Sequence, residues 1–202
     1  MISSLNDNPF DMDILKNSNS WPIQMLGKDD VYVADCFGKI SQGTLIGDSL
    51  ATAIFAKTGT GVIFDGSARD LSGMAQIEGF NAFVRDFDPT FLEDVVLIGL
   101  NTPIRIGKAI CLPGDLVISE REGVLFIPAH MAEKVIVTAE FIEIRDTFGY
   151  EMLKSGRYNS GQMDNEWIDA IKQDFLKWLD DNPDQLPMNR AELDAYMKDR
   201  TW

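Results

Sequence analysis

The sequence predicts a mixed α/β domain followed by a helical C-terminal extension. Three observations support this fold class. Short β-branched and aromatic runs, separated by Gly and Pro turns and in places by helical stretches, follow one another as far as Pro128. From Ala129 onward the apolar residues recur with a helical period. The composition is globular, with 45% apolar and 25% charged residues. We expect a lead-in segment at residues 1–28, the α/β domain at 29–150 and the extension at 151–202.

The first elements follow from local patterns. Residues 1–28 are rich in Asn, Ser and Asp without a sustained period, which is typical of a loosely structured segment. The run VYVAD, from Val31, predicts a strand, and the glycines after it predict a loop. Asp48 or Ser49 is expected to cap a helix that runs to about Lys57. GVIFD, residues 61–65, predicts a buried strand that ends in a polar turn, DGSARD, before a short helix near residues 71–77.

The remaining strands and helices are predicted in the same way. Strand candidates are AFVRDF, VVLIGLN, PIRIGKAICL and DLVIS between residues 82 and 119, and GVLFIP after the hairpin SEREG. A long helix should begin after Pro128 and reach about Leu153, a second should be capped by Asp164 or Asn165, and a last one should span about 190–200. The second of these helices carries an apolar stripe, Trp167, Ile171, Phe175 and Trp178, which must pack on the main domain or on a neighbouring subunit.

Composition excludes several classes of protein. The net charge of -14 disfavours nucleic acid and anionic membrane as partners, because both are bound mainly through Lys and Arg. A single histidine, His130, excludes a zinc site built from several imidazoles of one chain. Cys36 and Cys111 lack CxxC spacing, which favours reduced, intracellular thiols. No apolar run reaches about 18 residues, and acidic residues stand where a signal peptide would be basic and then apolar. We therefore expect a soluble, cytoplasmic protein.

Two strand-to-helix junctions carry the candidate chemistry. The first is Gly47, Asp48, Ser49 and Leu50, where a glycine allows close backbone approach and the following helix start offers free N–H groups to an anion. The second is Arg69–Asp70, in which the guanidinium can bind a carboxylate while the carboxylate holds a hard divalent cation. The simpler alternative, a surface ion pair and an ordinary turn, stays open from these residues alone.

Other reactive side chains are weaker candidates. Lys57 is a possible Schiff-base residue, but it falls on a predicted helix with ordinary surface spacing. His130 follows Pro128 at a helix start, where a capping or surface role is expected. Asp86 and Asp88, in RDFDP, are expected to end a strand and begin a turn rather than to bind a metal.

The segment between the two junctions resembles a known family. GDSLATAIFAKTGTGVIFDGSARD, residues 47–70, looks like the central signature of the RraA-like family, which includes class II pyruvate aldolases acting on 4-hydroxy-4-methyl-2-oxoglutarate. Further matching blocks follow in order, with PIRIG at 103–107, PGDLV at 113–117 and EGVLFIP at 122–128. The resemblance covers about residues 29–145, and several ordered blocks are far more specific than one short motif.

The resemblance implies a swivelling β/β/α-type fold, assembled as a homotrimer or a hexamer with active sites near subunit interfaces. It implies that the backbone of Gly47, Asp48, Ser49 and Leu50 binds the pyruvyl end of a 2-oxo acid substrate. Arg69 would contact the substrate, Asp70 would anchor Mg²⁺ or another divalent cation such as Mn²⁺, and Asp48 would orient a water for proton transfer. Cleavage next to a 2-oxo acid leaves a pyruvate enolate, and a cation with Arg69 beside it can stabilise that charge.

The implied function is thus a metal-dependent lyase that releases pyruvate, with oxaloacetate decarboxylation as a side activity. The alternatives are a non-catalytic RraA-like protein that regulates a ribonuclease, and a degenerate member with only a structural role. The sequence departs from the family pattern at three places, one of which is a helical tail from about residue 151 that is longer than in the minimal aldolases. Only 46 residues precede Gly47, from which we expect a shortened N-terminus, and Gly73 stands where an acidic residue often follows the metal-binding Asp.

Overall fold

The computed structural model describes residues 2–4, 19–93 and 95–198. They form two compact units, one ending at Ala129 and the other beginning at His130. The mixed α/β architecture with a helical C-terminal region is as the sequence predicts. Most of the predicted lead-in lies outside the described residues, and the predicted limits of the family domain, 29–150, stay a prediction. No helix in the described ranges combines the length and the apolarity that a membrane span requires.

The first unit contains a parallel sheet with helical crossovers and several small antiparallel pairs. Its strands are β1 (Ile2–Ser4), β2 (Tyr32–Thr44), β3 (Val62–Ala68), β4 (Ala82–Phe83), β5 (Asp86–Phe87), β6 (Val95–Leu97), β7 (Ile104–Ile106), β8 (Ala109–Cys111), β9 (Leu116–Glu120) and β10 (Gly123–Ile127). Its helices are α1 (Trp21–Met25), α2 (Asp48–Thr58) and α3 (Leu71–Met74).

Strand β3 is the centre of the parallel sheet. It pairs in parallel with β2 on one side and with β4 and β5 on the other. Every residue of β3 is buried, as expected for a strand covered on both faces. The core around it includes Ile46, Ile54, Phe64 and Ala68. The hairpins β7–β8 and β9–β10 and the pair β1–β6 are antiparallel.

Three local predictions for this unit are wrong. β2 does not give way to a loop but continues to Thr44, because the extra residues are taken up as register shifts against β3 between Asp35 and Thr44. The predicted turn at Gly66 is instead part of β3, where a Cβ would lie 2.5 Å from the Cβ of Cys36, so glycine is needed there for close packing. The N-cap of α2 is Gly47 rather than Asp48 or Ser49, and no side chain caps it.

The second unit is helical. It comprises α4 (Ala132–Lys154), α5 (Ser160–Met163), α6 (Asp169–Asp181) and α7 (Arg190–Lys198), with 3₁₀ turns at Ala129–Met131 and Pro183–Gln185. The predicted capping by Asp164 or Asn165 is wrong, because Asn159 and Gln162 form a capping box on the separate short helix α5. α6 then begins at Asp169.

The aromatic stripe is buried inside the second unit. Phe148 of α4 is fully buried, and its ring centroid lies 5.4 Å from that of Trp167, 5.2 Å from that of Phe175 and 6.0 Å from that of Trp178. The indole N–H of Trp178 donates to Glu151 Oε2 at 2.7 Å. The stripe therefore packs on α4, most of which (residues 132–150) falls within the predicted limits of the α/β domain.

Candidate functional site

The two junctions predicted from the sequence meet at one edge of the parallel sheet. β2 and β3 are parallel neighbours, so the loops that leave their carboxyl ends emerge on the same side. Gly47 follows β2 and begins α2, whereas Arg69 and Asp70 follow β3 and begin α3. The backbone N–H of Arg69 donates to the carbonyl of Ile46 at 3.0 Å, which ties the two loops together.

The carboxylate of each junction lies against a glycine of the other. A Cβ on Gly47 would lie 2.3 Å from Asp70 Oδ2, and a Cβ on Gly73 would lie 2.3 Å from Asp48 Oδ2. Neither glycine is needed for a positive φ, since neither has one. Both are needed for space, so the two junctions interlock and bring Asp48 and Asp70 into one small cluster.

The start of α2 offers backbone donors at this edge. Gly47 is buried and extended, with φ -116° and ψ -169°, and its carbonyl accepts from the N–H of Ala51 at 3.0 Å. The N–H groups of Asp48, Ser49 and Leu50 lie in the first turn of an α-helix, where no intrahelical acceptor exists. Together with the helix dipole, these N–H groups favour a bound anion.

Asp70 adopts an unusual backbone conformation. Its φ of 61° and ψ of 42° lie in the left-handed region, and it is the N-cap residue of α3, with its carbonyl accepting from the N–H of Gly73 at 2.9 Å. Non-glycine residues in this region are uncommon, and they cluster at functional sites. Arg69 Nε lies 3.5 Å from Asp70 Oδ2, and the two side chains are 30% and 47% exposed. The pair is thus loose and open to a ligand.

The donor set suits a hard divalent cation. Mg²⁺ binds through one or two carboxylates and keeps several waters, so the accessible carboxylate of Asp70 with Asp48 nearby fits it. Across the ranges that the structure covers, no cluster of three or more His, Cys, Asp or Glu could hold a metal. A cation here would therefore depend on Asp70, water and a bound substrate for its ligands.

The weaker sequence candidates have structural roles elsewhere. Lys57 Nζ donates to the carbonyls of Ile23 and Gln24 near the end of α1. Asp88 Oδ1 accepts from the backbone N–H of Thr90 at 2.9 Å, as the turn prediction requires. His130 is exposed in the 3₁₀ turn Ala129–Met131.

One polar cluster is missing from the sequence-based prediction. Asp65 of β3 is only 5% exposed, and its Oδ1 accepts from Arg85 Nε at 2.6 Å while its Oδ2 accepts from the N–H of Gly107 at 2.9 Å. The hydrogen bond from Arg85 holds the pKa of the Asp65 carboxyl below its usual range. The Asp-Gly pair suggested a turn, and nothing local in the sequence indicates these two distant partners.

Two cavities of the described residues lie away from the junctions. A cavity of about 550 Å³ is lined largely by α1, β2 and residues 97–102 and 111–117. A second, open one of about 460 Å³ lies beside Asp65. None of the predicted site residues lines either cavity. The Arg69–Asp70 edge is accessible to solvent in a single chain, since the two side chains are 30% and 47% exposed.

Comparison with known proteins gives a family and a set of similar folds. The RraA-like family model, described as Aldolase/RraA, matches residues 18–126. An uncharacterized protein from Pseudomonas syringae pv. tomato is similar in structure, with 20% identity and a TM-score of 0.65 over 81% of this chain and 74% of that one. Streptomyces coelicolor RraAS2, described as an unusual member of the RNase ES inhibitor RraA protein family, gives 21% identity and a TM-score of 0.61 over 78% and 74%.

Proposed function

This chain belongs to the RraA-like family, Aldolase/RraA, and from that premise we propose that it is a divalent-metal-dependent lyase of the class II pyruvate aldolase type. Its substrate is a 4-hydroxy-2-oxo dicarboxylate resembling 4-hydroxy-4-methyl-2-oxoglutarate, which it cleaves by retro-aldol reaction to pyruvate and a second 2-oxo acid. Oxaloacetate decarboxylation is the expected side activity, because it generates the same pyruvate enolate. The observation that carries the proposal is the interlocking of the Gly47–Asp48 and Arg69–Asp70 junctions.

The backbone of the first junction binds the substrate. The N–H groups of Asp48, Ser49 and Leu50 receive the carboxylate of the pyruvyl end, and Gly47 allows its close approach. Arg69 lies beside this position and contacts the 2-oxo acid, because a guanidinium matches the planar carboxylate in charge and shape.

The carboxylates of Asp70 and Asp48 have different roles in the proposed reaction. Asp70 would hold the cation, and Mg²⁺ or Mn²⁺ would supply Lewis-acid stabilisation of the negative charge that develops on the substrate. Asp48 orients a water that accepts the proton of the 4-hydroxyl group. The bond between C3 and C4 then breaks, its electron pair stays on the pyruvyl fragment, and the enolate takes a proton at C3 to give pyruvate. Arg69 stabilises the same charge from the side.

The proposal includes a homotrimer or hexamer with sites near subunit interfaces. An open site supports this, because a neighbouring copy would supply the missing walls and exclude water. The protein is proposed to work in the cytoplasm without nucleic-acid or membrane partners. Support comes from the net charge of -14 and from Cys36 and Cys111, which are both free and buried.

A non-catalytic role is the second candidate. The similarity in fold to RraAS2, from a family described by ribonuclease inhibition, favours a protein that binds and regulates a ribonuclease. A purely structural, degenerate member is the third option. Presence of both Arg69 and Asp70 favours the lyase, because a binding protein has no need of a cation site.

Pyruvate release tests the proposal. Initial rates with 4-hydroxy-4-methyl-2-oxoglutarate and with oxaloacetate are measured with Mg²⁺ and with a chelator, for wild type, Arg69→Ala and Asp70→Asn. Asn is preferred at position 70 because it tolerates the left-handed conformation. Each variant should lose roughly 100-fold or more in kcat/KM. Arg121→Ala, in the exposed β9–β10 turn, is the matched control and should behave as wild type.

The outcomes separate the candidates. Absence of metal-dependent pyruvate release by the wild type would exclude the lyase. Ribonuclease binding that is equal in wild type, Arg69→Ala and Asp70→Asn would favour the regulatory role. A solution mass of one chain would remove the interface part of the proposal.

A further inference from the structure

A polar pocket, separate from the proposed catalytic edge, lies where the pairing of β2 with β3 shifts in register. Asp35 pairs with Asp65, but the next paired residue of β2 is Lys39, opposite Gly66. The intervening residues include Phe37 and Gly38, which both have positive φ, 57° and 68°. Both line the pocket with Asp65, and a Cβ on Gly38 would lie 3.8 Å from Asp65 Oδ1. The bulge thus forms one wall of an open pocket of about 460 Å³.

The floor of this pocket is fixed. Asp65 is almost fully buried, and both of its carboxylate oxygens are used, one by Arg85 Nε and the other by the N–H of Gly107. These bonds hold the Arg85 guanidinium over the strand while its side chain is still 51% exposed. Arg85 is therefore positioned by a buried anchor and still has donors available to a ligand.

A second guanidinium makes the pocket cationic. Arg105 of β7 lines it together with Arg85, and it is close enough to Asp65 to act on that carboxylate electrostatically. Within the described ranges Arg105 has no ion-pair partner at 4.0 Å or less. Two arginines and one carboxylate line the pocket, so the lining carries an excess of one positive charge in a chain whose net charge is -14. The buried Asp35 carboxylate, which accepts from the N–H of Phe37 at 2.9 Å, lies next to the pocket but is not among its lining residues.

Such an arrangement is chemically selective. A lone pair of Arg85 and Asp65 would be neutral, and two mobile surface arginines would bind an anion weakly. Here one arginine is anchored, the second adds charge, and the exposed ring of Phe37 gives the pocket an apolar side. Guanidinium groups recognise planar or tetrahedral oxyanions through charge-assisted hydrogen bonds.

We infer that the pocket formed by Phe37, Gly38, Arg85, Arg105 and Gly107 over Asp65 is a binding site for a small oxyanion, a phosphate or carboxylate group. It is separate from the Arg69–Asp70 edge, because Asp65 and Arg69 are four residues apart along an extended chain, about 13 Å. The site does not depend on the proposed lyase activity. Its occupant would bridge Arg85, which lies between β4 and β5, and Arg105 of β7.

Calorimetric titration with inorganic phosphate and, separately, with succinate tests the inference at constant ionic strength, since salt screens exposed charges. Wild type should bind at least one of them, and Arg105→Gln should weaken that binding about tenfold or more. Arg105→Glu should abolish it. Arg121→Gln makes the same charge change outside the pocket and should bind as wild type. Arg85 is left intact, because its removal would strand a buried carboxylate.

Each outcome has a definite meaning. Preference for phosphate over succinate identifies a phosphate group as the natural ligand, and the reverse identifies a carboxylate. Equal weakening by Arg105→Gln and Arg121→Gln would overturn the inference, because the binding would then reflect net charge alone. Loss of binding only in Arg69→Gln would assign the anion to the first site instead. An altered solution mass in Arg105→Gln, without anion binding by the wild type, would make the pocket a subunit contact.

Discussion

Substitution of Gly47 by Ala tests whether the interlocked junctions set the geometry of the proposed site. The added Cβ would lie 2.3 Å from Asp70 Oδ2 and 3.1 Å from Arg69 Nε. To restore an ordinary contact, the Asp70 carboxylate must move by about 1 Å. A displacement of that size in a catalytic group costs about 100-fold in rate, or about 3 kcal/mol of transition-state stabilisation.

The fold should tolerate this change. The φ of -116° at Gly47 is accessible to alanine, and the half-exposed Asp70 side chain can rotate toward solvent. Alanine is a poorer N-cap than glycine, so we expect the free energy of unfolding to fall by only about 1 kcal/mol. The effect of Gly47→Ala should therefore appear in kcat/KM and in the Mg²⁺ concentration needed for half activation.

The assay compares pyruvate release by wild type, Gly47→Ala and Gly27→Ala. Gly27 is an exposed glycine at which the nearest atom to an added Cβ is Asp30 Oδ2 at 3.5 Å, so its variant should match wild type. If Gly47→Ala keeps more than half of the wild-type kcat/KM, the position of the Asp70 carboxylate is unimportant for the reaction, and the reasoning fails.

Three further predictions concern stability and thiol chemistry. The hydrogen bond from Arg85 lowers the folded-state pKa of Asp65, so the stabilisation from its carboxylate is present above about pH 4 and is lost as the pH falls toward the lower folded value. In urea unfolding, Asp65→Asn should therefore be less stable than wild type at pH 6 but should lose less stability than wild type between pH 5 and 3. Parallel pH profiles of the two proteins would contradict this. Phe148→Ala should lower the free energy of unfolding by about 3–5 kcal/mol, because it empties the centre of the aromatic cluster, and a loss below about 1 kcal/mol in chemical denaturation would contradict that packing. Burial raises the pKa of the Cys36 thiol to about 12 and that of Cys111 to about 11. Mass spectrometry should therefore find both thiols unmodified after treatment of the native protein with iodoacetamide at pH 8, and modified after unfolding. Rapid labelling of the native protein would refute their burial.

The sequence predicts most of the strands and helices and singles out the two junctions, but their spacing alone leaves open whether they lie together. Strand, helix and strand in succession imply a parallel pair, and parallel strands send their carboxyl ends to one edge. That reasoning favours a common position for Gly47 and Arg69, and the hydrogen bond from the N–H of Arg69 to the carbonyl of Ile46 shows that the two loops meet. The sequence does not reveal that Gly73 is a glycine because a side chain there would collide with the Asp48 carboxylate. A glycine in a sequence indicates backbone freedom or lack of space for a side chain, and only its neighbours in the structure distinguish the two.

The failures have a common physical origin. Gly66 suggested a turn because Asp-Gly is a strong local turn pair, yet the tertiary contact with Cys36 keeps it in β3. The glycines after VYVAD suggested a loop, whereas pairing with β3 holds the segment extended despite two residues of positive φ. In each case hydrogen bonding and packing with distant residues outweighed the local preference. The ion pair between Asp65 and Arg85 could not be predicted from local sequence for the same reason, because its two residues are brought together only by the fold.

The location of the aromatic cluster has a practical consequence for spectroscopy. Trp167 and Trp178 are buried in the second unit, 2% and 7% exposed, whereas Trp21 in the first unit is 37% exposed. A blue-shifted emission signal would arise chiefly from the helical unit, so its loss on heating reports that unit and is insensitive to the Arg69–Asp70 edge. A variant that unfolds the sheet but leaves the helices intact would look native by fluorescence. Circular dichroism or an introduced probe near α2 would be needed to detect it.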